Sequence, residues 1–322
     1  MRLLRRLALV LLPLLILLAI LEGIVRLLPE PDGFHTRVRA FSDAACVRDQ
    51  ALGHRLRPGV NVDVGGIAYE ISSLGLRNPE LRNPTSGTGQ RILVLGDSVT
   101  MGWGVAETDT FSRQLEAILS EAGRPVEVVN AGILAYGTHE EALLLEELGP
   151  TLNPDLLLLG YFPNDPGGWE ASTSLPGPSW SKLWRMFLPH LLGFAARFGW
   201  VDTAPEHYRK LHDLESETWR GVREDLKRIS DWTKQRDIPA TLLLLPDLSL
   251  TPYPLEDVHQ TVAQEARSLG FDVLDLAPLV KSATPREQWV QPDDAHPNAK
   301  THADYAQAIA RHLRHQPPSS CP

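Results

Sequence analysis

The sequence predicts an α/β fold, a three-layer α/β/α sandwich around a parallel sheet, and two observations carry that prediction. Five short apolar runs, Arg91–Gly96, Val126–Asn130, Asp155–Tyr161, Ala240–Leu245 and Phe271–Leu276, read as strands buried on both faces. Helical patterns alternate with them at about Asp109–Ala122, Thr138–Leu148, Glu215–Arg236, Leu255–Leu269 and Ala299–His315. Strands spaced by helices form a parallel sheet with helices on both sides. A third observation, an apolar run at the N terminus, places one further helix ahead of the domain.

In that first segment, residues 1–28, Arg2, Arg5 and Arg6 precede the uninterrupted apolar run Leu7–Leu21, and apolar character resumes as far as Leu28 around Glu22 and Arg26. A membrane span needs roughly 20 apolar residues, so the reading is an uncleaved signal anchor with both charged residues near the outer interface. Large or charged groups around Ala19, Leu21 and Gly23 leave no small-x-small cleavage site. The basic flank then puts the N terminus in the cytoplasm and the remaining chain outside it. In such an oxidising space Cys46 and Cys321, the two cysteines of the chain, have the option of pairing or of staying isolated thiols.

Residues 29–88 are rich in Pro, Gly, Asn and Arg without a helical period. They read as a linker with some extended structure around Val60–Ile71, a turn-forming strap at Ser73–Asn78, and a loop at Pro84–Gly89. The domain proper covers residues 89–316, followed by a tail at 317–322. In its second helix, Thr138-His139-Glu140-Glu141 offers a capping box. An aromatic insertion at 166–213 interrupts the alternation with Trp169, Trp180, Trp184, Phe187, Phe194, Phe198 and Trp200. Its spacing predicts an amphipathic helix whose apolar face packs on the domain, covers a site as a lid, or meets a bilayer surface.

Composition removes other function classes. The 322 residues carry a formal net charge of -9, against a nucleic-acid partner. Two cysteines supply neither a zinc cluster nor a disulfide scaffold. His302, His312 and His315 read as a solvated helix face rather than metal ligands. No phosphate loop or dinucleotide fingerprint occurs, and Gly102-Trp103-Gly104 reads as plain loop, so no cofactor is inferred.

Chemistry-bearing residues fall at the ends of the expected strands. Gly96-Asp97-Ser98 follows the first, Asn130-Ala131-Gly132 the second and Asn164-Asp165 the third, while Asp293, Asp294 and His296 precede the last helix. Ligands of parallel sheets sit beyond the carboxyl ends of the strands. A serine there can act as a nucleophile if a histidine takes its proton and a carboxylate orients that histidine. Asp97 reads as a residue bonded within its own loop, and Asp294 competes with Asp293 as the orienting acid. The context of Ser98 lacks the Gly-x-Ser-x-Gly elbow, having Thr100 at its last position.

These blocks, in this order over Arg91–His315, resemble the SGNH hydrolases, also called GDSL-type esterases, with a flavodoxin-like sheet. The resemblance implies Ser98 as nucleophile, His296 as base, and Asp293 as acid through the family's D-x-x-H spacing. It implies an oxyanion hole from the N–H groups of Ser98 and Gly132 and the side-chain amide of Asn164. One departure is Phe162 where the family often has glycine, with Gly160 two residues earlier. Together with the N-terminal apolar run, the expected function is a membrane-anchored, extracytoplasmic serine esterase that removes an acyl group, with acetyl on a cell-envelope glycan or a related ester as the substrate that its location suggests. An O-acyltransferase using the same acyl-serine, or a non-catalytic envelope binding protein, are the alternatives.

Overall fold

Five parallel strands form the central sheet: β1 (Gln90–Gly96), β2 (Val126–Gly132), β3 (Leu156–Tyr161), β4 (Ala240–Leu244) and β5 (Asp272–Asp275). Their spatial order is β2-β1-β3-β4-β5, so the chain starts inside the sheet and winds outward both ways. In the computed structural model, residues 2–28, 32–82, 89–123, 125–167, 181–280 and 285–315 are described. Trp169, Trp180, Cys321 and most of the Pro84–Gly89 loop lie outside them, and so does the question of whether Cys46 and Cys321 pair.

Side-chain alternation along the strands builds two cores. Leu93, Leu95, Val129, Leu157, Leu159, Leu242 and Leu244 point to one face, under α2 (Thr138–Leu152), α3 (Glu217–Lys234) and α4 (Glu256–Ser268). Ile92, Val94, Val128, Leu156, Leu158 and Leu243 point to the other, under α1 (Phe111–Glu121) and α5 (Ala299–His315). Burial on both faces is why the strands read as continuous apolar runs. At the start of α2 the cap is Gly137, whose N–H donates to Glu140 Oε2 at 3.0 Å, so Thr138 is the first helical residue rather than the cap.

The expected linker is folded. Phe34–Ala45 is a helix, and two hairpins follow, Cys46–Asp49 with Gly53–Leu56 and Asn61–Val64 with Ile67–Glu70. Phe41, Leu52, Leu56, Tyr69 and Leu76 join the larger core. Four-residue strands carry only one or two anchors each, too few to show a period. The legible signal was Gly65-Gly66, both at positive φ, which closes the second hairpin in a two-residue turn. The Ser73–Asn78 strap does more than turn the chain. Arg77, 1% exposed, donates to the carbonyls of Ala68 at 3.2 Å, Met101 at 3.2 Å, Val105 at 2.7 Å and Gly102, and stacks over the Tyr69 ring at 4.2 Å.

The chain divides into two compact units, one of residues 1–32 with 173–206, the other of 33–172 with 207–322. In the first, helix Arg2–Leu27 lies against helix Lys182–Arg197. Glu22, the acid inside the apolar run, caps the second helix: its carboxylate accepts from Ser181 Oγ at 2.8 Å and from the N–H groups of Lys182 and Leu183, each at 3.0 Å. Leu15, Leu18, Trp184, Phe187 and Leu191 line an apolar cavity of about 820 Å³ between these two helices. Phe187, Leu191, Phe194 and Phe198 are exposed, so the amphipathic helix keeps part of its apolar face open. Among the described residues no helix is long and apolar enough to cross a membrane; the side chains of residues 1–8 and 10 are not among them.

Replacing Arg77 with Met removes its hydrogen bonds to four carbonyls, three of them on buried residues, of which Gly102 keeps a second donor in the Val105 N–H. The expected loss is about 3–5 kcal/mol of unfolding free energy, seen as a lower urea midpoint; a loss under about 1 kcal/mol would show that the strap is dispensable.

Candidate active site

Ser98 begins a one-turn helix, Ser98–Met101, directly past β1, and Asp97 caps it by accepting the Val99 N–H at 2.9 Å. That turn nestles against the sheet edge because β2 ends in Gly132 and β3 has Gly160 next to its last residue. A Cβ at Gly132 would lie 2.3 Å from Met101 N, and one at Gly160 would lie 2.6 Å from Thr100 Oγ1. Gly96 pairs with Gly132, and Leu95 with Leu159, so the loops carrying Ser98, Ile133–Gly137 and Asn164 leave the sheet side by side.

Across this edge, Ser98 Oγ lies 2.8 Å from His296 Nε2. His296 Nδ1 lies 2.6 Å from Asp294 Oδ1, and Asp294 Oδ2 accepts the Trp103 Nε1–H at 2.9 Å. Asp294 accepts only, which places the imidazole proton on Nδ1 and leaves Nε2 to accept from Ser98. Burial works to raise the Asp294 carboxyl, but the hydrogen bonds and charge of His296 and the bond from Trp103 outweigh it, and the group sits below the usual carboxylate range.

Asp293, the acid favoured by the D-x-x-H spacing, is not on the imidazole. Its Oδ2 accepts the Phe34 N–H at 2.8 Å, and its Oδ1 lies 3.4 Å from Arg37 Nη2. The reason is local: Asp294–Pro297 is a strand paired antiparallel with Trp289–Gln291. Residues two apart share one face of a strand, so Asp294 accompanies His296 while Asp293 precedes the strand.

Gly132 also departs from expectation. Its N–H donates to Asn130 Oδ1 at 3.0 Å, and its lack of a side chain serves the close approach of the serine turn. In the next loop Ala135 holds φ at 64°, rare for a residue with a Cβ, and its N–H has no hydrogen-bond partner among the described residues. The Asn164 side chain makes no hydrogen bond among the described residues, and its Oδ1 is buried. Phe162 packs against the α1/α5 core.

Sequence reasoning passed over the parts that brace the acid. Trp103, placed in plain loop, is the second holder of Asp294. It packs on Phe41, ring centroids 5.6 Å apart, and on Tyr69 at 5.5 Å, while Tyr69 Oη accepts the Gly104 N–H at 2.8 Å. His302 is buried, not solvated: its Nδ1 accepts the Phe111 N–H at 3.2 Å at the start of α1, and burial pushes it down to about 3. His312 is paired with Asp272. Among the described residues no group of three or more His, Cys, Asp or Glu is arranged to hold a metal.

Residues 94–303 match the model of the GDSL-like lipase/acylhydrolase family. The chain belongs to that family. As a family member it is an ester-bond hydrolase, and its parallel five-stranded sheet is the corresponding α/β fold. Similar solved structures include the crystal structure of TesA, with 16% identity, 70% of this chain and 98% of that chain covered, and a TM-score of 0.48. An acetyl-xylooligosaccharide esterase mutant from Geobacillus stearothermophilus has 18% identity, coverage of 71% and 96%, and a TM-score of 0.46. A two-domain esterase active on acetylated mannans has 14% identity, coverage of 71% and 50%, and a TM-score of 0.46. No curated protein sequence matches the chain.

In this GDSL-family site three carboxyls are buried, Asp97 on the serine turn, Asp165 beside Asn164 and Glu141 on α2. Burial raises Asp97 to about 6 and raises Glu141 and Asp165 well above the ordinary range, the charge of Asp97 adding to the shift of Glu141 and those of Glu141 and Asp97 to the shift of Asp165. Neither Glu141 nor Asp165 has a side-chain hydrogen-bond partner among the described residues. The folded protein therefore holds protons that the unfolded chain releases near pH 4. Stability is expected to fall as pH rises from about 4 through 6 and beyond. Thermal melts of Glu141→Gln should show a shallower decline and a higher Tm at alkaline pH than wild type; parallel curves would contradict the raised value for Glu141.

Proposed function

We propose that the chain is a serine esterase working through an acyl-enzyme, with Ser98 as nucleophile, His296 as general base and Asp294 as the orienting acid. The observation that carries this reading is the continuous relay of 2.8 Å from Ser98 Oγ to His296 Nε2 and 2.6 Å from His296 Nδ1 to Asp294. Ser98 Oγ attacks the ester carbonyl carbon as its proton passes to Nε2. Collapse of the tetrahedral intermediate breaks the bond to the alcohol oxygen, which takes the proton from His296. Water then repeats the sequence on the acyl-serine and releases the carboxylic acid.

The developing oxyanion needs fixed donors, each worth roughly 2.7–4 kcal/mol. The Ser98 N–H and the Asn164 amide support that role, since neither is used elsewhere among the described residues. In place of the Gly132 N–H, already bound to Asn130, the reading assigns the third donor to Ala135, whose strained backbone and unpartnered N–H adjoin the same sheet edge.

For the substrate we infer an acetyl ester on a cell-envelope glycan, and for the address an extracytoplasmic domain held by a signal anchor. The support is the basic flank and apolar run of residues 2–28, helical over Arg2–Leu27.

The test is turnover of p-nitrophenyl acetate and labelling by a fluorophosphonate, on wild type and Ser98→Ala. Wild type is expected to turn over and label, and the variant to lose both. Labelling that persists in Ser98→Ala removes Ser98 from the nucleophile role.

A further inference from the structure

The helix Phe34–Ala45 reaches the relay by three separate contacts. Arg37, its side chain 8% exposed, places Nη2 3.4 Å from Asp293 Oδ1 and 3.7 Å from Asp294 Oδ2, straddling two adjacent carboxylates. Gly33 provides no side-chain cap, and Asp293 takes that place by accepting the Phe34 N–H. The Phe34 ring lies 5.5 Å from the His296 ring at an interplanar angle of 34°, and edge-on to Trp103 at 6.3 Å.

Each contact has a physical consequence. Two neighbouring carboxylates repel, and a guanidinium between them offsets that repulsion where Asp294 is shielded from water. With Asp293 engaged by the helix, the Asp294 carboxylate is left to the imidazole and Trp103. An aromatic ring over His296 shields one side of the base from solvent.

We propose that this helix is a working part of the esterase site, with Arg37 as a positioning residue that sets the orientation and charge of the Asp294–His296 pair, and Asp293 as the latch that docks it. The inference rests on the esterase reading above. Among the described residues, the charged and titratable groups bonded or coupled to His296 are Asp294 on its own strand, Asp97 on the serine turn and His302 on α5, with Arg37 of the docked helix and Asp293 reaching it through Asp294 and Phe34.

The two partners of the clamp carry opposite charge, so their removal has opposite signs. Arg37→Gln takes a positive charge from the relay and favours the imidazolium, moving the acid limb of the kcat/KM–pH profile to higher pH. Asp293→Asn takes a negative charge away and moves the limb to lower pH.

The experiment measures kcat, KM, the pH profile and Tm of the full chain with p-nitrophenyl acetate, for wild type, Arg37→Gln, Arg37→Lys and Asp293→Asn. Expected for Arg37→Gln is a kcat lower by roughly 10- to 100-fold with KM nearly unchanged, most of it recovered in Arg37→Lys, and limb shifts of opposite sign for Arg37→Gln and Asp293→Asn. An active wild type with unmoved limbs in both variants overturns the positioning role, even where Tm falls, because a merely structural arginine lowers Tm without moving the profile. A wild type that neither turns over nor labels overturns the esterase reading itself, a separate outcome.

Discussion

The buried carboxylate of Asp294 is the constraint on which the site depends. It is 2% exposed, yet both oxygens are engaged, one by the His296 imidazole and the other by the Trp103 indole. Burying a charge is costly unless it is paired and hydrogen-bonded, and here the same bonds that offset the cost also fix the imidazole. Trp103 in turn leans on Phe41 and Tyr69, and Arg77 ties the loop around it to the strap below. A segment with the composition of a linker thus becomes the brace of the relay.

Much of the frame was legible because it follows from strong periodicity. The strands β1 to β5 and helices α1 to α5 fall within a few residues of the apolar runs and helical patterns that announce them, and Ser98 lies directly past β1 as expected. Ser98 and His296, 198 residues apart in sequence, meet as the motif order implied. What the sequence hid were features set by short elements. Whether Asp293 or Asp294 shares a face with His296 depends on a four-residue strand that shows no pattern of its own. The motif points to Gly132 for its backbone N–H, but the space it leaves for Met101 is a tertiary fact. Phe34, Arg37 and Tyr69 lie more than 200 residues before His296, and no local signal connects them to it.

Glu22 shows the same principle in the other unit. An acid within an apolar helix looks like an interruption until the N terminus of helix Lys182–Arg197 is seen to sit on it, with three donors aimed at one carboxylate. The charge that interrupts the apolar run holds the start of a second helix.

Steady-state kcat of Asp294→Asn beside Asp293→Asn tests the central claim most directly. If Asp294 holds the imidazole tautomer, its asparagine variant loses about 10⁴-fold in kcat, and Asp293→Asn loses at least about 100 times less. A larger loss in Asp293→Asn, with Asp294→Asn near wild type, would contradict the account and return the acid to the position that the D-x-x-H spacing first indicated.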